Sequence, residues 1–464
     1  MPQIDQHLGF MQLGKQLKTN IFSLSVLGRT MIILNSVEDA TKLLQNRSGV
    51  YSDRPNSPML TEPSLLDAAR FTSIARYDDY WRKSRRVIHP WLHKQAIESF
   101  NHSQQHQTRL LLQRLLLWDE ISSEILYHEA FTALSGTLLR SIYGYQIHSA
   151  DDPLLKGAIQ LVHNLSYAIM PTNFLINVFP SLRYVPTWFP GAGWRRVAQK
   201  MREQKEKTMM GLFNKTKDDV ASGNYEPSIV ASWLTNTENL ALSPEEIDSH
   251  LSYVAMTLYL GGAETTSNVF LIFAIAMMLH PEIQQKAQAE LDNLIGYSRL
   301  PLMEDRHQLP YVNRLIQELL RWCPVLPTGV PHATTDDDIY QGFRIPKGAI
   351  VFANIWAMSR NENVYRNPEK FDPDRFLDPS VPSCPVFGFG RRECPGNHFA
   401  ESSIFIIIAS LLAVFNFRIP KNASGEENRP RLTSQNVIIF HPEEFQVKLE
   451  LRSPRRAQLV RTEE

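Results

Sequence analysis

The stretch VFGFGRRECPGNHFAESSIFIIIASLLAVF, residues 386–415, carries the strongest chemical signal in the chain. A glycine-rich loop holds one cysteine, Cys394, and opens directly onto an apolar run that predicts a buried core helix. Gly388 and Gly390 permit positive φ and a close approach of backbone to a flat ligand. Pro395 suits a first helical turn, where its missing donor costs nothing. Arg391 and Arg392 stand beside the cysteine, and the helix dipole and these cations both favour a thiolate over a thiol. A thiolate cradled this way is a ligand for a soft or redox metal, or a nucleophile. A nucleophile needs a nearby base, and the loop offers none. A structural cysteine in a tight turn is the remaining reading.

Upstream of this loop the texture changes twice. Residues 21–34, IFSLSVLGRTMIIL, predict two strands around a Leu-Gly-Arg turn. SVEDATKLLQN follows as a helix with Ser36 as N-cap. From about 79 to 280 the pattern is mostly helical. It is interrupted by MPTNFLINVFPSLRYVPTWFPGAG, residues 170–193, a proline-bearing and unusually apolar connection. Such a loop is a lid, a membrane-surface contact, or a loop packed on the core. After residue 280 proline becomes frequent, and DIYQGFRI–PKG–AIVFANI predicts a hairpin turning at Pro346-Lys347-Gly348. Neither the helical nor the punctuated part holds a full core alone, so residues 1–464 are expected to form one domain.

Composition narrows the class. Lys plus Arg and Asp plus Glu are both 48, so the net charge is zero. That argues against nucleic acid as the main partner, since phosphate binding wants a basic surplus. Three cysteines without a C-x-x-C give neither a disulfide framework nor a zinc site. The polar start has no signal-peptide core. The apolar runs Val269–Leu279 and Ile404–Phe415 are shorter than the roughly 18 residues a span requires.

Three further clusters carry chemistry. GGAETTSN, residues 261–268, lies inside the apolar helical stretch 251–280. A charged Glu264 there is costly unless it has a partner or a task. Gly261-Gly262 removes side chains where something approaches, and Thr265 and Thr266 can bond back to the preceding turn. QELLRW places Glu318 and Arg321 on one helix face; as a surface pair they would be worth little. YWRKSRR spaces Trp81 and Arg85 one turn apart. His332 in VPHAT, taken alone, reads as a satisfied core histidine.

Phe387-x-x-Gly390-x-Arg392-x-Cys394-x-Gly396 matches the heme-binding loop of the cytochromes P-450 at every defined position. The chain resembles that family from about residue 20 to about 450, most closely its fungal microsomal branch. The resemblance implies a mainly α fold with small β-sheets (α+β), with heme b between a long central helix and the cysteine loop. It makes Cys394 the axial thiolate ligand of iron, in a loop whose Phe387, Gly388 and Gly396 cradle the cofactor. Trp81, Arg85, His332 and Arg392 become the partners of the two propionates. Glu264 and Thr265 become the acid–alcohol pair that steers protons through water, with Gly261 standing where the family usually has alanine. Glu318 and Arg321 become a buried pair completed by Arg375 of FDPDRF, with a structural role. Ala263, Val325, Leu326, Thr328 and the 56–76 loop are the expected pocket lining.

The resemblance further implies a monooxygenase that inserts one atom of dioxygen into a small apolar molecule. Fungal relatives make a place in secondary metabolism the expectation. No flavin or nicotinamide domain is present, so electrons are expected from NADPH–cytochrome P-450 reductase, steered by Arg82, Lys83, Arg86 and Arg391. Two alternatives stay open: an isomerase or dehydratase of the same fold that needs no reductase, and a non-catalytic heme-binding protein. Microsomal members begin with an apolar anchor, whereas this chain starts near the first strand. The family expectation is the cytosolic face of the endoplasmic reticulum; the chain as written reads as cytosolic or peripheral, with residues 170–193 as a membrane contact.

Overall fold

The longest apolar stretch sets the architecture. Ile247–Leu279 forms one continuous helix of 33 residues, about 50 Å at 1.5 Å per residue. The computed structural model describes residues 5–147, 151–170, 173–421, 425–434 and 438–462. Its central helix packs along Ser123–Tyr143 and against Asn397–Val414, the helix that follows the cysteine loop. The C-terminal half of the central helix, Val269–Met278, joins a core shared with Ile404–Val414. Its N-terminal half, Leu251–Ala263, joins a second core with Leu138, Leu161 and Phe213. One helix therefore spans both cores and ties the early helical region to the late loops. By length and composition both Ile247–Leu279 and Asn397–Val414 could cross a membrane, but each is 78% buried by protein over its most apolar window.

The sheets are small. Ile21–Val26 and Arg29–Leu34 pair antiparallel around Leu27 and Gly28, both at positive φ. Ile350–Ala353 joins them in parallel on Arg29–Leu34, with His332–Ala333 antiparallel on its far side. A second sheet has the order Glu120–Ser122, Gln446–Leu451, Phe415–Arg418. This sheet closes the C-terminal end of the Asn397–Val414 helix, because Phe415 follows Val414 directly.

Three sequence expectations change. The hairpin turns at Gln341-Gly342, not at Pro346-Lys347-Gly348: Asp338–Tyr340 pairs with Phe343–Ile345. Gln341 and Gly342 sit at φ 50° and 82°, the two positive angles that a tight two-residue hairpin turn demands. Ile350–Ala353 is released to the larger sheet. The second change is a helix, Gln6–Leu17, ahead of the first strand. Its His7 and Phe10 carbonyls accept from Asn354 and Asn35. The third is at Ser36, which caps as expected, but the helix it starts widens into a π-helical turn over Thr41–Asn46.

The 170–193 connection divides into two behaviours; its Pro171 and Thr172 lie outside the described residues. Phe174, Ile176 and Asn177 are buried, while Leu175, Tyr184 and Trp188 are 65%, 75% and 79% exposed. The Asn177 side chain donates to Ala168 O and accepts from Ser57 Oγ and Met59 N. That one amide staples the loop to both the helix before it and the turn-rich 51–76 segment.

Candidate functional site

The cysteine loop is fixed by backbone geometry before any side chain acts. Cys394 N donates to Phe387 O at 2.9 Å and Gly388 N to Pro385 O at 3.1 Å. Gly388 and Gly390 both adopt positive φ, 86° and 58°. Gly390 also packs directly on the π-helical turn: a Cβ there would overlap Leu44 O and lie 2.9 Å from Gln45 Cα. The widened turn thus buttresses the loop, and no side chain fits between them.

Cys394 lies deep within the protein, and burial is the largest influence on its thiol pKa, raising it. Yet its own surface is only half covered. Depth together with open surface places it on the wall of an internal opening. The Gly396 N–H and the Arg85 charge pull the pKa down, where the sequence pointed to Arg391 and Arg392, and desolvation outweighs them. The loop therefore favours the thiol until a metal takes the proton's place. Cys323 and Cys384 are fully enclosed.

Across the core, the central helix has its own opening. Apart from its two ends it is buried except over Thr257–Thr265, where Leu258, Leu260, Glu264 and Thr265 are half-covered and Gly261 is exposed. A Cβ on Gly261 would meet nothing within 4 Å, whereas one on Gly262 would press on Leu138 at 3.0 Å. Gly261 thus faces open space and Gly262 allows close helix packing. Thr265 Oγ1 donates to Gly261 O at 2.8 Å, which places the hydroxyl along the open face. Glu264 accepts from Ser166 Oγ at 2.8 Å. Burial lifts the Glu264 pKa above the usual carboxylate range, and the Ser166 hydroxyl holds it down.

A cationic cluster adjoins the loop. Asp78 caps the helix Asp79–Leu92 by accepting from Trp81 N, which brings Trp81 and Arg85 to one face. Arg392 lies over the Trp81 ring at 4.5 Å and Arg85 approaches it at 5.8 Å. Among the described residues, neither the Arg85 guanidinium nor the Trp81 indole N–H has a hydrogen-bond partner. Arg392 differs from the expectation, because its donors are spent on the carbonyls of Ser52, Thr72 and Ala75. His332 differs too. Its Nδ1 is bonded to Tyr51 O at 2.8 Å, and burial, with Arg54 and Arg392 nearby, pushes its pKa down to about 3. It is neutral, and its ring proton is committed. Sequence reasoning missed Arg54, buried on the carbonyls of Ser73, Val330 and Pro331.

These residues fit heme. The cysteine borders an internal opening, and the Arg85 and Trp81 donors stand unspent. The hydroxyls of Ser52 and Thr72, buried beside Arg392, have no partner. Three arginines and unpaired donors at one end of a cysteine loop match an iron porphyrin with two carboxylates.

The remaining candidate residues separate. Phe387, Gly388 and Gly396 keep half-open surfaces around Cys394. Val325 and Leu326 are half-buried, so each keeps surface for a ligand. Thr328 is 5% exposed and Ala263 0%. Ala263 is a correction: it is fully covered within the second core, and Gly261, one turn from Thr265, presents the open face instead. Glu318, Arg321 and Arg375 come together. Arg321 grips Glu318 with Nε and Nη2 at 2.7 and 2.9 Å, and Arg375 Nε lies 3.0 Å from both carboxylate oxygens. In the proposed basic patch, Arg82 and Arg391 flank the Tyr77 ring and are exposed, as is Arg86. Lys83 is drawn away to Glu246 at 3.4 Å.

The chain matches the family model for cytochrome P450 over residues 1–449. It is 33% identical to the cytochrome P450 monooxygenase COX1 of Coprinopsis cinerea, covering 99% of this chain and 90% of that protein. It is 35% identical to cytochrome P450 monooxygenase 58 of Postia placenta, covering 92% and 82%. Among solved structures, a zebrafish cytochrome P450 with progesterone superposes with a TM-score of 0.80 at 23% identity, covering 97% of this chain and 100% of that one. That likeness concerns the fold.

Proposed function

This chain belongs to the cytochrome P450 family as an oxidoreductase of its monooxygenase class, and from that premise we propose that it hydroxylates, or similarly oxidises, an apolar small molecule of fungal secondary metabolism. The observation that carries this is the opening in the central helix, where an otherwise buried helix uncovers its surface only around Gly261, Glu264 and Thr265. Cys394 would hold the iron, and Arg85 and Trp81 would meet the carboxylates. Bound heme supplies the redox metal that activates dioxygen. The chain's own contribution is different in kind. The apolar core around the opening excludes bulk water. Thr265 presents a hydroxyl on the open face, anchored at Gly261 O. Glu264, with its pKa raised by burial, holds a proton closer to neutral pH than an exposed carboxyl does.

Electrons come from NADPH–cytochrome P450 reductase in this reading. Arg82, Arg86 and Arg391 are exposed, Arg391 within two residues of the loop glycine and three of the cysteine. Such a patch steers an acidic partner and is screened by salt. The test is NADPH-dependent oxygen consumption by heme-loaded protein with reductase, at rising ionic strength. Substrate-stimulated consumption that falls with salt is expected. Turnover of an oxygenated substrate without reductase would transfer the chain to the isomerase or dehydratase class.

The Thr265→Ala variant sharpens this. Heme loading is expected to be unchanged, while reducing equivalents drain to peroxide and product per NADPH falls on the order of tenfold or more. Full coupling in that variant would remove Thr265 from proton delivery.

We place the protein at the cytosolic face of the endoplasmic reticulum, with Leu175, Tyr184 and Trp188 resting on the lipid surface. Their exposure beside Arg183 and Arg195 supports this. Co-sedimentation with anionic vesicles measures it. Binding that survives Trp188→Ser and Tyr184→Ser together would locate the contact elsewhere.

A further inference from the structure

Glu264 is held from a neighbouring element, and that element is tied to the 174–177 segment. Ser166 sits in the last turn of the helix Pro153–Ile169, two residues before Ala168, whose carbonyl takes the Asn177 amide at 3.0 Å. The same Asn177 Oδ1 accepts from Ser57 Oγ and Met59 N, both at 3.0 Å. Tyr167 and Phe174 close the corner with an edge-to-face ring contact at 5.3 Å. A polar path therefore runs from the 57–59 segment through Asn177 to the end of the Ser166 helix, and through Ser166 to Glu264.

We propose that Ser166 is a positioning residue for Glu264, and that the Asn177 staple makes this contact conditional on the docking of the 174–177 segment against residues 57–59. This rests on the monooxygenase reading only in the use to which the held carboxyl is put; the contact itself is independent of it. Undocking the 174–177 segment from residues 57–59 would free Ala168 O and loosen the last helical turn. The Ser166 hydroxyl would leave the carboxyl, and redocking would restore it. The Glu264 carboxyl is then held in position only while the 174–177 segment stays docked.

The surroundings leave Ser166 the dominant specific influence. Tyr127 faces Glu264 from the helix Ser123–Tyr143 and is itself pushed up by burial. Asn268 donates to Glu264 O, and its own side-chain oxygen meets His441 Nδ1 at 2.7 Å. His441 is held below its ordinary value by burial. After burial, the Ser166 hydrogen bond is the cause acting on Glu264.

The experiment is a pH titration of the Glu264 carboxyl infrared band in resting, heme-loaded protein, the band being assigned by its loss in Glu264→Gln. In Ser166→Ala the midpoint should move up, because the donor that favours the anion is gone. Ser166→Thr should restore it. Asn177→Ala should move it the same way with Ser166 still in place. Product per NADPH should fall about tenfold in Ser166→Ala, the equivalent of one lost hydrogen bond to a charged group. An unmoved midpoint in Ser166→Ala overturns the contact. A midpoint that moves there but not in Asn177→Ala overturns the coupling. The infrared band needs no turnover, so failure of the monooxygenase reading would appear separately, as absent NADPH-driven product in the wild type.

Discussion

Cys394→Ala should abolish the red-shifted Soret band of the reduced carbon monoxide complex and, with it, all oxygen insertion. A thiolate donates electron density that other protein ligands do not match. Cys394 alone among the three cysteines keeps open surface. Cys323 and Cys384 are buried, with almost no surface to offer a metal. The loop would survive the change, since its closing bond uses the Cys394 backbone N–H to Phe387 O. Loss of the band would therefore report ligation and not collapse. Cys323→Ala and Cys384→Ala are the controls and should keep it. A band that persists in Cys394→Ala would mean that another group holds the iron.

That cysteine was legible because a metal loop is a local device: its glycines, arginine and cysteine lie within ten residues. The turn holding Glu264 and Thr265 on the open face, and the cluster of Glu318 with Arg321 and Arg375, were legible for the same reason, each part being set by helical spacing or a short motif. What the sequence hid was long-range. Arg54 meets Ser73 and then Val330 and Pro331, contacts that no spacing predicts. Ser166 reaches Glu264 across 98 positions, and a serine near a helix end looks like any other. The resemblance made His332 a propionate partner, but its ring answers to Tyr51.

The β errors have a different cause. Pro-Lys-Gly and Gln-Gly both signal turns, and only the pairing partner decides which one closes a hairpin. Ile350–Ala353 is drawn to Arg29–Leu34, where burying Val351 and Ala353 beside Ile32 and Leu34 outweighs pairing with the nearer strand. The helix Gln6–Leu17 escaped notice because Gly9 and Gly14 dilute its periodicity. Gly14 is required there: a side chain would collide with Asn35, the residue that clamps Phe10 O.

Glu318→Gln should cost about 3–5 kcal/mol, the penalty for stripping one partner from a buried ion pair. That is a large share of the stability a domain commands. The pair is fully enclosed, both side chains at 0% exposure, with Arg375 at 7%. One carboxylate satisfies two guanidinium groups and also accepts from Asp372 N at 2.8 Å. Those arginines in turn hold the carbonyls of Ser359, Arg366 and Lys370, so the carboxylate organises the proline-rich segment preceding the cysteine loop. Glutamine keeps the shape but removes the charge, and its amide presents hydrogens to donors. Two buried cations are then left without a counter-ion. Arg321→Lys should fail nearly as badly, because an ammonium cannot form the two parallel bonds to Glu318. The measurement is the urea midpoint of the heme-loaded protein by Soret absorbance, together with heme per chain after expression. The expected result is a lower midpoint at unchanged slope, or protein recovered without heme. Arg344→Ala, which breaks the exposed pair with Asp337, should leave the midpoint where it was. If Glu318→Gln matched that control, the triad would be no more than a surface pair that happens to be covered.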